Sequence, residues 1–416
     1  MYGFNDGIWQ SNKKQFQELT MFRLLLIKRF VEDIFIFPFI VIGRTVALLK
    51  PLNEEYDVFL FFPFYHIGGA EKVHYEVAKV AGKQKSIVFF TKKSHSHLFL
   101  QNFKDSGCEI KDISVYTDNK FLYFNNLIYR GIISGYINKQ KRKTVVFNGQ
   151  CNFGYKISPW VKKAVPQYEL IHSFNTFSYI RIPFLPFITK TVMISKVRIK
   201  QHIDFYKSYG IPAGYADKII YIGNAIELTN TIVTKKEAPF TVLYVGRNSP
   251  EKRLPLFLKT ATQVHAADAS IQFEILGDVS ESIADAEYPH IKFHGNKNEA
   301  NAINEIYAAA HVLLLTSSTE GFPMVVIEAM NNGCAILATA VGDIPLHVKS
   351  NENGFLFSSV TDEATIVKEA MNYILQLKNN WQLFTAISKN NSNYAAANFG
   401  IQEFNNAYSR LFETEL

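Results

Sequence analysis

The sequence predicts an α/β protein made of two doubly wound, Rossmann-like domains with an N-terminal helical extension. Two series of short apolar runs alternate with helical stretches, and a polar stretch, residues 227–239, separates the two series as a linker. Such alternation indicates parallel sheets with helices on both faces. A length of 416 residues with 19% charged residues fits two or three globular domains. This composition excludes a chain that is mainly disordered, collagen-like or coiled coil.

The extension covers residues 1–55. The longest uncharged run between residues 19 and 52 is 34–43, about half of the roughly 20 residues that a membrane-spanning helix needs. Pro38 is expected to break or kink a helix there. Cations that flank short apolar patches favour a segment lying on a membrane surface, and a helix pair packed on the protein itself is the alternative. A second apolar stretch, residues 182–188, is also expected to be exposed.

The first domain, residues 56–226, is expected to contain seven strands and helices such as 70–81 and 196–209. The second domain, residues 240–416, is expected to contain six strands and a helical tail from residue 361. A cleft is expected between the domains, with ligands at the carboxyl ends of the strands. The strand-like runs are 57–62, 86–90, 109–115, 144–147, 169–172, 191–195 and 218–222, then 241–246, 271–277, 291–295, 311–316, 335–339 and 354–357.

The charge is divided unevenly along the chain. Residues 1–237 hold 33 Lys and Arg against 18 Asp and Glu, whereas residues 238–416 hold 11 against 19. This split predicts that the basic half faces an anionic membrane surface or a phosphorylated substrate. Nucleic acid is disfavoured as a partner because no nucleic-acid motif accompanies the basic residues.

Cysteine usage and the first residues indicate a cytoplasmic protein. The three cysteines lie more than forty residues apart, so their spacing is that of neither a metal site nor a readable disulfide framework. The N-terminus lacks the charged start, apolar stretch and cleavage site of a signal peptide. A reducing compartment is therefore expected.

The most informative segment is SSTEGFPMVVIEAM, residues 317–330, which follows the buried run HVLLLT. Pro323 suits the first turn of a helix and Gly333 its end, which predicts a helix over 323–332. The first amides of this helix would form an anion site at the strand ends. Glu328 lies among apolar residues and needs strong donors, such as sugar hydroxyls, unless it forms a structural salt bridge. Glu320 is expected to point into the cleft.

A second segment, RNSPEKR after the run TVLYVG, supplies cations at the same sheet edge. Ser249 is expected to cap a helix that starts at Pro250. Arg247 leaves the strand, and Lys252 lies in a first helical turn, where the helix dipole disfavours a cation. A bound diphosphate would offset this cost. The alternative is a solvated charge cluster, and Arg253 is expected to be a solvated charge.

In the first domain, the candidate residues are Gly68, Gly69 and His172. The two glycines join the first strand to the first helix and allow a close approach of backbone and ligand. His172 ends a strand and is expected to face the cleft, although a lone histidine is often structural.

Together these segments resemble the retaining nucleotide-sugar glycosyltransferases of family four, which have the GT-B architecture. The resemblance covers about residues 56–400. Its last motif contains the Glu-x7-Glu pair of that family, Glu320 and Glu328. The motifs are GGAEKVHYEVAKVA, VMISKVRIKQHI, YIGNAIEL, LYVGRNSPEKRL, FEILGD, FHGN and EGFPMVVIEAMNNGCAILAT.

The resemblance implies a role for each candidate residue. Glu320 would bind the hydroxyls of the transferred sugar, and His172 would lie beside that sugar near the reacting carbon, as the two catalytic residues. Glu328 would bind the ribose hydroxyls. The diphosphate and the rest of the donor would contact Arg247, Lys252, Gly321, Phe322, Pro323, Met324, Gly68 and Gly69.

The chain departs from the family pattern at two points. The segment GDIPL, residues 342–346, stands where the family often has Gly-Gly-x-Pro-Glu, which puts that contact in doubt. No Asp-x-Asp metal motif appears in the cleft, so neither a metal nor another cofactor is expected, and cations with helix amides would stabilise the leaving diphosphate.

The implied function is sugar transfer with retention from a UDP- or GDP-linked donor to a glycan or lipid-linked glycan acceptor. The expected setting is cell-envelope or surface polysaccharide synthesis, such as that of lipopolysaccharide, by a peripheral protein on the inner face of the plasma membrane. A nucleotide-sugar epimerase, which needs no acceptor, is one alternative. A catalytically silent, membrane-docked binding scaffold is the other, and the presence of Arg247, Lys252, Glu320 and Glu328 argues against it.

Overall fold

A computed structural model of the chain describes residues 6–66, 68–228, 234–279, 287–297 and 299–413, with side chains from residue 21 onward. The chain divides into two compact units. The first unit comprises Met1–Ile222 and Asn405–Leu416, and the second comprises Gly223–Phe404. Of the expected linker, residues 229–233 lie outside the described residues.

The first unit is built on one parallel sheet. Its strands are β1 (Val58–Phe62), β2 (Ser86–Phe90), β3 (Glu109–Asp112), β4 (Val145–Asn148), β5 (Gln167–Ile171), β6 (Lys190–Met193) and β7 (Ile219–Tyr221), in the order β3-β2-β1-β4-β5-β6-β7. Its α-helices are α1 (Asp6–Leu49), α2 (Gly69–Ala81), α3 (Leu100–Lys104), α4 (Ser114–Thr117), α5 (Tyr123–Asn138), α6 (Asn152–Ile157), α7 (Thr176–Ile180) and α8 (Lys196–Ser208). Three 3-10 helices lie at Ser158–Trp160, Ile182–Phe187 and Ala213–Tyr215.

The second unit repeats this plan. Its strands are β8 (Thr241–Val245), β9 (Gln272–Leu276), β10 (Ile291–Gly295), β11 (Val312–Leu315), β12 (Ala335–Thr339) and β13 (Gly354–Phe357), in the order β10-β9-β8-β11-β12-β13. A 3-10 helix at Pro250–Lys252 follows β8. The α-helices are α9 (Leu254–Ala267), α10 (Ala300–Ala309), α11 (Met324–Asn331), α12 (Ile344–His347), α13 (Glu363–Asn379), α14 (Trp381–Asn398) and α15 (Ile401–Phe412).

The two sheets confirm the predicted fold class, and each predicted strand is present. The strands β1 and β12 are buried along their whole length, which explains why their sequences are almost entirely apolar. The predicted run 109–115 ends early, at Asp112. The Asp112 carboxylate accepts from the backbone N–H of Ser114, which turns the chain into α4.

In each sheet the strand order reverses at one point, between β1 and β4 and between β8 and β11. Ligands of doubly wound sheets bind outside the carboxyl ends of the strands at such a point. The ladder between β8 and β11 contains two residue pairs, Val242 with Val312 and Leu243 with Leu313. These two strands therefore part toward their carboxyl ends, where the candidate donor residues lie.

The prediction was that Pro38 breaks or kinks a helix, and α1 runs through Pro38 without ending, so Pro38 does not break it. The N-terminal segment is a single helix that packs on α5, and it does not form the pair of helices that was the alternative. The approach is close, because an added Cβ at Gly43 would lie 2.1 Å from the Ile128 carbonyl oxygen and one at Gly131 would lie 2.4 Å from that of Ile40. Packing on α5 offsets the cost of the proline. None of the described helices is both long enough and apolar enough to cross a bilayer.

The stretch 182–188, expected to be exposed, is largely buried. Ile182 and Leu185 pack with Phe22 of α1, and Arg29 of α1 donates to the Pro183 carbonyl oxygen at 2.9 Å. Helix α1 packs over residues 182–188, and the local sequence of that stretch could not show this contact with a distant segment.

The end of the chain also differs from the expectation that residues 240–416 form one domain. From Asn405 onward the chain belongs to the first unit. Tyr408 and Phe412 of α15 meet Phe147 of β4 edge-on, with ring centroids 5.9 and 5.6 Å apart. Burial of these two rings beside the sheet stabilises the packing of α15 on the first unit.

Candidate functional site

The carboxyl ends of β8 and β11 bring together two of the predicted site residues. Lys252, at the end of the 3-10 helix after β8, donates from Nζ to Glu320 Oε1 at 2.5 Å. Their side chains are 20% and 10% exposed. Water screens such a shielded pair less than a surface pair, so the ammonium and the carboxylate hold each other in place. The loop after one strand thus supplies a cation and the loop after the other supplies a carboxylate.

Arg253 ties these two loops together, which corrects the prediction that it is a solvated charge. Its guanidinium donates to the carbonyl oxygens of Thr316 at 2.5 Å, Ser317 at 3.1 Å and Val360 at 2.7 Å. Its backbone has a φ of +49°, which a non-glycine residue adopts at a cost. Buried carbonyls need donors, and the fixed fork of an arginine supplies several at once.

Arg247, the other predicted cation, lies further out than Lys252. Its side chain is 70% exposed, and its Nη2 lies 3.5 Å from Glu251 Oε1. An exposed pair of this kind contributes little to stability. Arg247 therefore adds positive charge at the rim of the strand ends, whereas Lys252 occupies the shielded position.

Glu328 lies on α11, and its carboxylate accepts a hydrogen bond from the hydroxyl of Tyr307 on α10. The distance from Tyr307 Oη to Glu328 Oε2 is 2.7 Å. Burial, reinforced by the neighbouring carboxylate, raises the pKa of Tyr307 well above its usual value. The phenol therefore remains a donor at neutral pH and fixes the orientation of the glutamate.

The turn that leads into α11 is anchored at Phe322. The ring of Phe322 is buried and lies 4.2 Å from the ring of His347 between centroids. Its carbonyl oxygen accepts from Asn224 Nδ2 at 2.9 Å, which gives the motif YIGNAIEL a structural role. Pro323 is the N-cap of α11, so the helix begins one residue later than predicted, at Met324.

Gly342 supports the turn that carries Glu320. Its φ is +57°, and an added Cβ would lie 2.2 Å from the Gly321 carbonyl oxygen and 2.5 Å from that of Glu320. The backbone N–H of Asp343 donates to the Gly321 carbonyl oxygen at 2.8 Å. The segment that departs from the family pattern is therefore packed directly against this turn.

In the first unit, His172 follows β5 and forms a hydrogen bond with His74 of α2. The two Nε2 atoms lie 2.9 Å apart, so one ring carries its proton on Nε2 and the other on Nδ1. Burial lowers the pKa of His172 to about 4. Burial and the neighbouring His172 lower the pKa of His74 well below its usual value. Both rings are neutral near pH 7.

The loops around His172 leave little room. The backbone N–H of His172 donates to Gln150 Oε1 at 3.3 Å. An added Cβ at Gly149 would lie 2.7 Å from His74 Nε2. Sequence analysis does not identify Gly149 and His74 as candidate site residues, because a single glycine and a helical histidine form no recognisable motif.

Gly68 and Gly69 lie at the carboxyl end of β1, where α2 begins. Gly68 is the N-cap of α2, and an added Cβ there would lie 2.3 Å from Glu71 Oε2. An added Cβ at Gly69 would meet no atom within 4 Å. Gly68 thus accommodates the carboxylate of Glu71, and Gly69 leaves open space beside the start of the helix.

The neutral histidine leads to a prediction about stability and pH. In the unfolded chain His172 takes up a proton near pH 6.5, whereas in the folded protein it does so only near pH 4. Its contribution is therefore present above about pH 6.5 and is lost as the pH falls toward 4. From this residue we expect the free energy of unfolding to be about 2 kcal/mol lower at about pH 5 than at about pH 7.

Urea titrations of the protein and of the His172→Gln variant at both pH values measure this effect. The variant should lose part of the pH dependence. An unchanged pH dependence would contradict a neutral, buried imidazole.

In the part of the chain that the structure describes, no three His, Cys, Asp or Glu side chains come together in a group that could hold a metal ion. The three cysteines are all buried and are not disulfide-bonded. The expectation of a metal-independent site stays a prediction.

Comparison with known sequence families assigns much of the second unit. Residues 227–393 match the model of the family described as Glycosyl transferases group 1. This stretch is similar to a group 1 glycosyl transferase domain. The stretch contains Arg247, Lys252, Glu320 and Glu328, and the resemblance to a glycosyltransferase that the motifs indicated is confirmed for it.

Two curated relatives match part of the chain at low identity. The GtfA subunit of a UDP-N-acetylglucosamine–peptide N-acetylglucosaminyltransferase from Streptococcus pneumoniae is 25% identical over 156 residues, 34% of this chain. D-inositol 3-phosphate glycosyltransferase from Streptomyces griseus is 27% identical over 138 residues, 29% of this chain. The match spans 29% of the length of each relative.

The matches to solved structures cover parts of both units. HepE of Anabaena, in complex with UDP and glucose, matches with a TM-score of 0.68 at 17% identity, covering 86% of this chain and 100% of that chain. The lipopolysaccharide outer core galactosyltransferase WaaB, in its apo form, matches with a TM-score of 0.61 at 17% identity, covering 86% of this chain and 99% of that chain. The shared fold is the GT-B fold, as the sequence predicted.

Proposed function

We propose that the protein is a retaining glycosyltransferase that moves a sugar from a nucleotide diphosphate donor to a hydroxyl group of a glycan or lipid-linked glycan. The observation that carries the proposal is the ion pair of Lys252 and Glu320 at the point where the strand order of a group 1 glycosyl transferase domain reverses. A cation and a carboxylate side by side suit a ligand with phosphate oxygens next to sugar hydroxyls.

Lys252 is assigned to the donor diphosphate. An ammonium group has three N–H donors, so it can contact Glu320 and phosphate oxygens together. The first amides of α11 have no partner within the helix and add partial positive charge in the same loop region. Arg247 would contribute from its exposed position.

The two glutamates are assigned to different parts of the donor. Glu320 precedes α11 and pairs with Lys252, which suits a contact with the hydroxyls of the transferred sugar. Glu328 lies one turn inside α11 and is oriented by Tyr307, which suits the two adjacent hydroxyls of a ribose. A carboxylate accepts such pairs of hydroxyl donors through its two oxygens.

The proposed reaction depends mainly on positioning and electrostatics. Departure of the diphosphate leaves positive charge on the sugar, and Lys252 with the α11 amides would stabilise the departing phosphate. We assign to His172 the contact with the donor sugar that the family resemblance implies. Because its ring is neutral near pH 7, His172 would donate a hydrogen bond to a sugar hydroxyl or accept one from it. It would not add positive charge beside the sugar.

The relatives favour particular substrates for this proposal. HepE was crystallised with UDP and glucose, and the GtfA enzyme is named for UDP-N-acetylglucosamine. WaaB is a lipopolysaccharide galactosyltransferase. A UDP-linked sugar and an acceptor from the cell envelope are therefore the first to test, with GDP-linked sugars next.

The test is a screen of UDP- and GDP-linked sugars for binding and for slow release of the nucleoside diphosphate by the intact protein. An accepted donor should then glycosylate a glycan acceptor, and NMR of the product should show the anomeric configuration of the donor. Free isomerised sugar formed without an acceptor would instead indicate an epimerase. Binding of no donor in the screen would contradict the proposal.

Lys252 is more buried than Arg247, and this difference leads to a prediction about the effects of replacing them. We expect Lys252→Ala to lower kcat/KM about a hundredfold and Arg247→Ala about tenfold, because charge-assisted contacts are stronger where water is excluded. Steady-state kinetics on both variants measures the difference, with circular dichroism to verify folding. Unchanged kinetics in both variants would contradict a donor site at this edge of the sheet.

A further inference from the structure

Helix α1 presents an exposed apolar face that its packing on the first unit does not cover. From Leu24 to Leu49, one side of the helix contacts α5 and the 3-10 helix at Ile182–Phe187. The opposite side carries large apolar residues that are roughly half to three-quarters exposed. These residues are Leu24, Ile27, Phe30, Val31, Ile34, Phe35, Val41, Ile42, Leu48 and Leu49.

We call these ten residues the α1 stripe. At about 1.5 Å per residue, the stripe extends for about 40 Å along the helix. Two of the charged residues between its ends, Lys28 and Glu32, form an exposed i,i+4 pair, whereas Arg29 and Asp33 pair with each other on the side that packs on the first unit. Contiguous apolar surface of this extent is rare on a protein that works alone in water.

A second exposed apolar segment adjoins the stripe. Residues 121–124, at the start of α5, read FLYF, and Phe121 is 97% exposed. Phe124 stacks on Phe39 of α1 with ring centroids 5.4 Å apart. The segment therefore extends the apolar surface sideways from α1.

Several cations lie near the C-terminal end of α1, one of which, Arg142, is 3.7 Å from the carboxylate of Asp57. Arg44 of α1 and Asn138 of α5 both donate to the carbonyl oxygen of Trp160, and Lys139 Nζ donates to that of Ala47. Asn138 also lines a cavity of about 1100 Å³ whose lining includes six cations and one carboxylate, Glu413. The six are Lys141, Arg142, Lys143, Lys162, Lys190 and Arg410.

We propose that the α1 stripe and residues 121–124 dock the first unit on the surface of an anionic lipid bilayer, with the cations at the end of α1 contacting lipid phosphates. An apolar helix face bordered by cations lies in the plane of the headgroup region. A second copy of the chain fits less well, because each first unit holds 32 Lys and Arg against 18 Asp and Glu, so two such units repel each other. The proposal concerns binding alone and does not depend on the proposed catalysis.

The test uses substitutions in the full chain, because deletion of α1 would uncover the tightly packed surface of α5. The Ile34→Ser/Phe35→Ser double variant alters the stripe on its outward side. Leu98→Ser, an exposed apolar position outside α1 and residues 121–124, is the matched control. Sedimentation with phosphatidylglycerol–phosphatidylcholine vesicles, without any sugar donor, measures binding, and vesicles of phosphatidylcholine alone report the charge contribution.

We expect the double variant to bind anionic vesicles at least about tenfold more weakly than the unaltered protein, and Leu98→Ser to bind equally well. Salt should weaken binding without abolishing it. Unchanged vesicle binding by the double variant would overturn the proposal. So would a dimer in analytical ultracentrifugation that the double variant converts to a monomer without any change in vesicle binding, since the stripe would then join two copies.

Discussion

Replacement of Glu320 by glutamine is expected to lower transfer at least about a hundredfold while the nucleoside diphosphate still binds. The substitution keeps the size of the side chain but removes the charge that pairs with Lys252 and would accept the sugar hydroxyls. Lys252 would then be available to the diphosphate alone, so affinity for the free nucleoside diphosphate should be unchanged or higher. Calorimetry with that nucleotide and kinetics with the full donor separate the two effects.

Glu328→Gln is the matched comparison, because it makes the same chemical change one turn inside α11. It should weaken the nucleotide itself, since Glu328 is assigned to the ribose and is oriented by Tyr307. Equal losses of nucleotide affinity in both variants would contradict the division of roles between the two glutamates.

The second large effect is expected from Gly342→Ala, which changes a residue with no assigned contact to the donor. The new methyl group would lie 2.2 Å from the Gly321 carbonyl oxygen and 2.5 Å from that of Glu320, so the turn has to move. A displacement of about 1 Å at a catalytic group can cost about a hundredfold in rate. We expect a loss of that order in kcat/KM, measured with the accepted sugar donor.

Gly295→Ala separates this displacement from backbone strain. Gly295 also has a positive φ, +64°, but an added Cβ there would meet no atom within 4 Å. Both variants should lose about 1 to 2 kcal/mol of unfolding free energy from the left-handed backbone, and only Gly342→Ala should lose activity. Equal activity in the two variants would show that Gly342 does not position Glu320.

The sequence alone determined the class of fold and the strand ends at which the candidate residues lie. Strands buried on both faces are rich in apolar residues, so most of their runs are visible without knowledge of their neighbours. The loop residues Lys252 and Glu320 could be assigned to one sheet edge because the carboxyl ends of parallel strands share an edge. The Glu-x7-Glu motif added a resemblance to glycosyltransferases, and the family match of residues 227–393 confirmed it at that level.

The tertiary structure decided the features that depend on partners distant in the chain. Pro38 costs an isolated helix several kcal/mol, but α1 continues because its inner face packs on α5. Arg253 resembles any exposed arginine until the carbonyl oxygens of Thr316, Ser317 and Val360 surround it. Local patterns record which residues favour burial or a turn, whereas these contacts join segments about 60 to 110 residues apart, and only the folded chain brings them together.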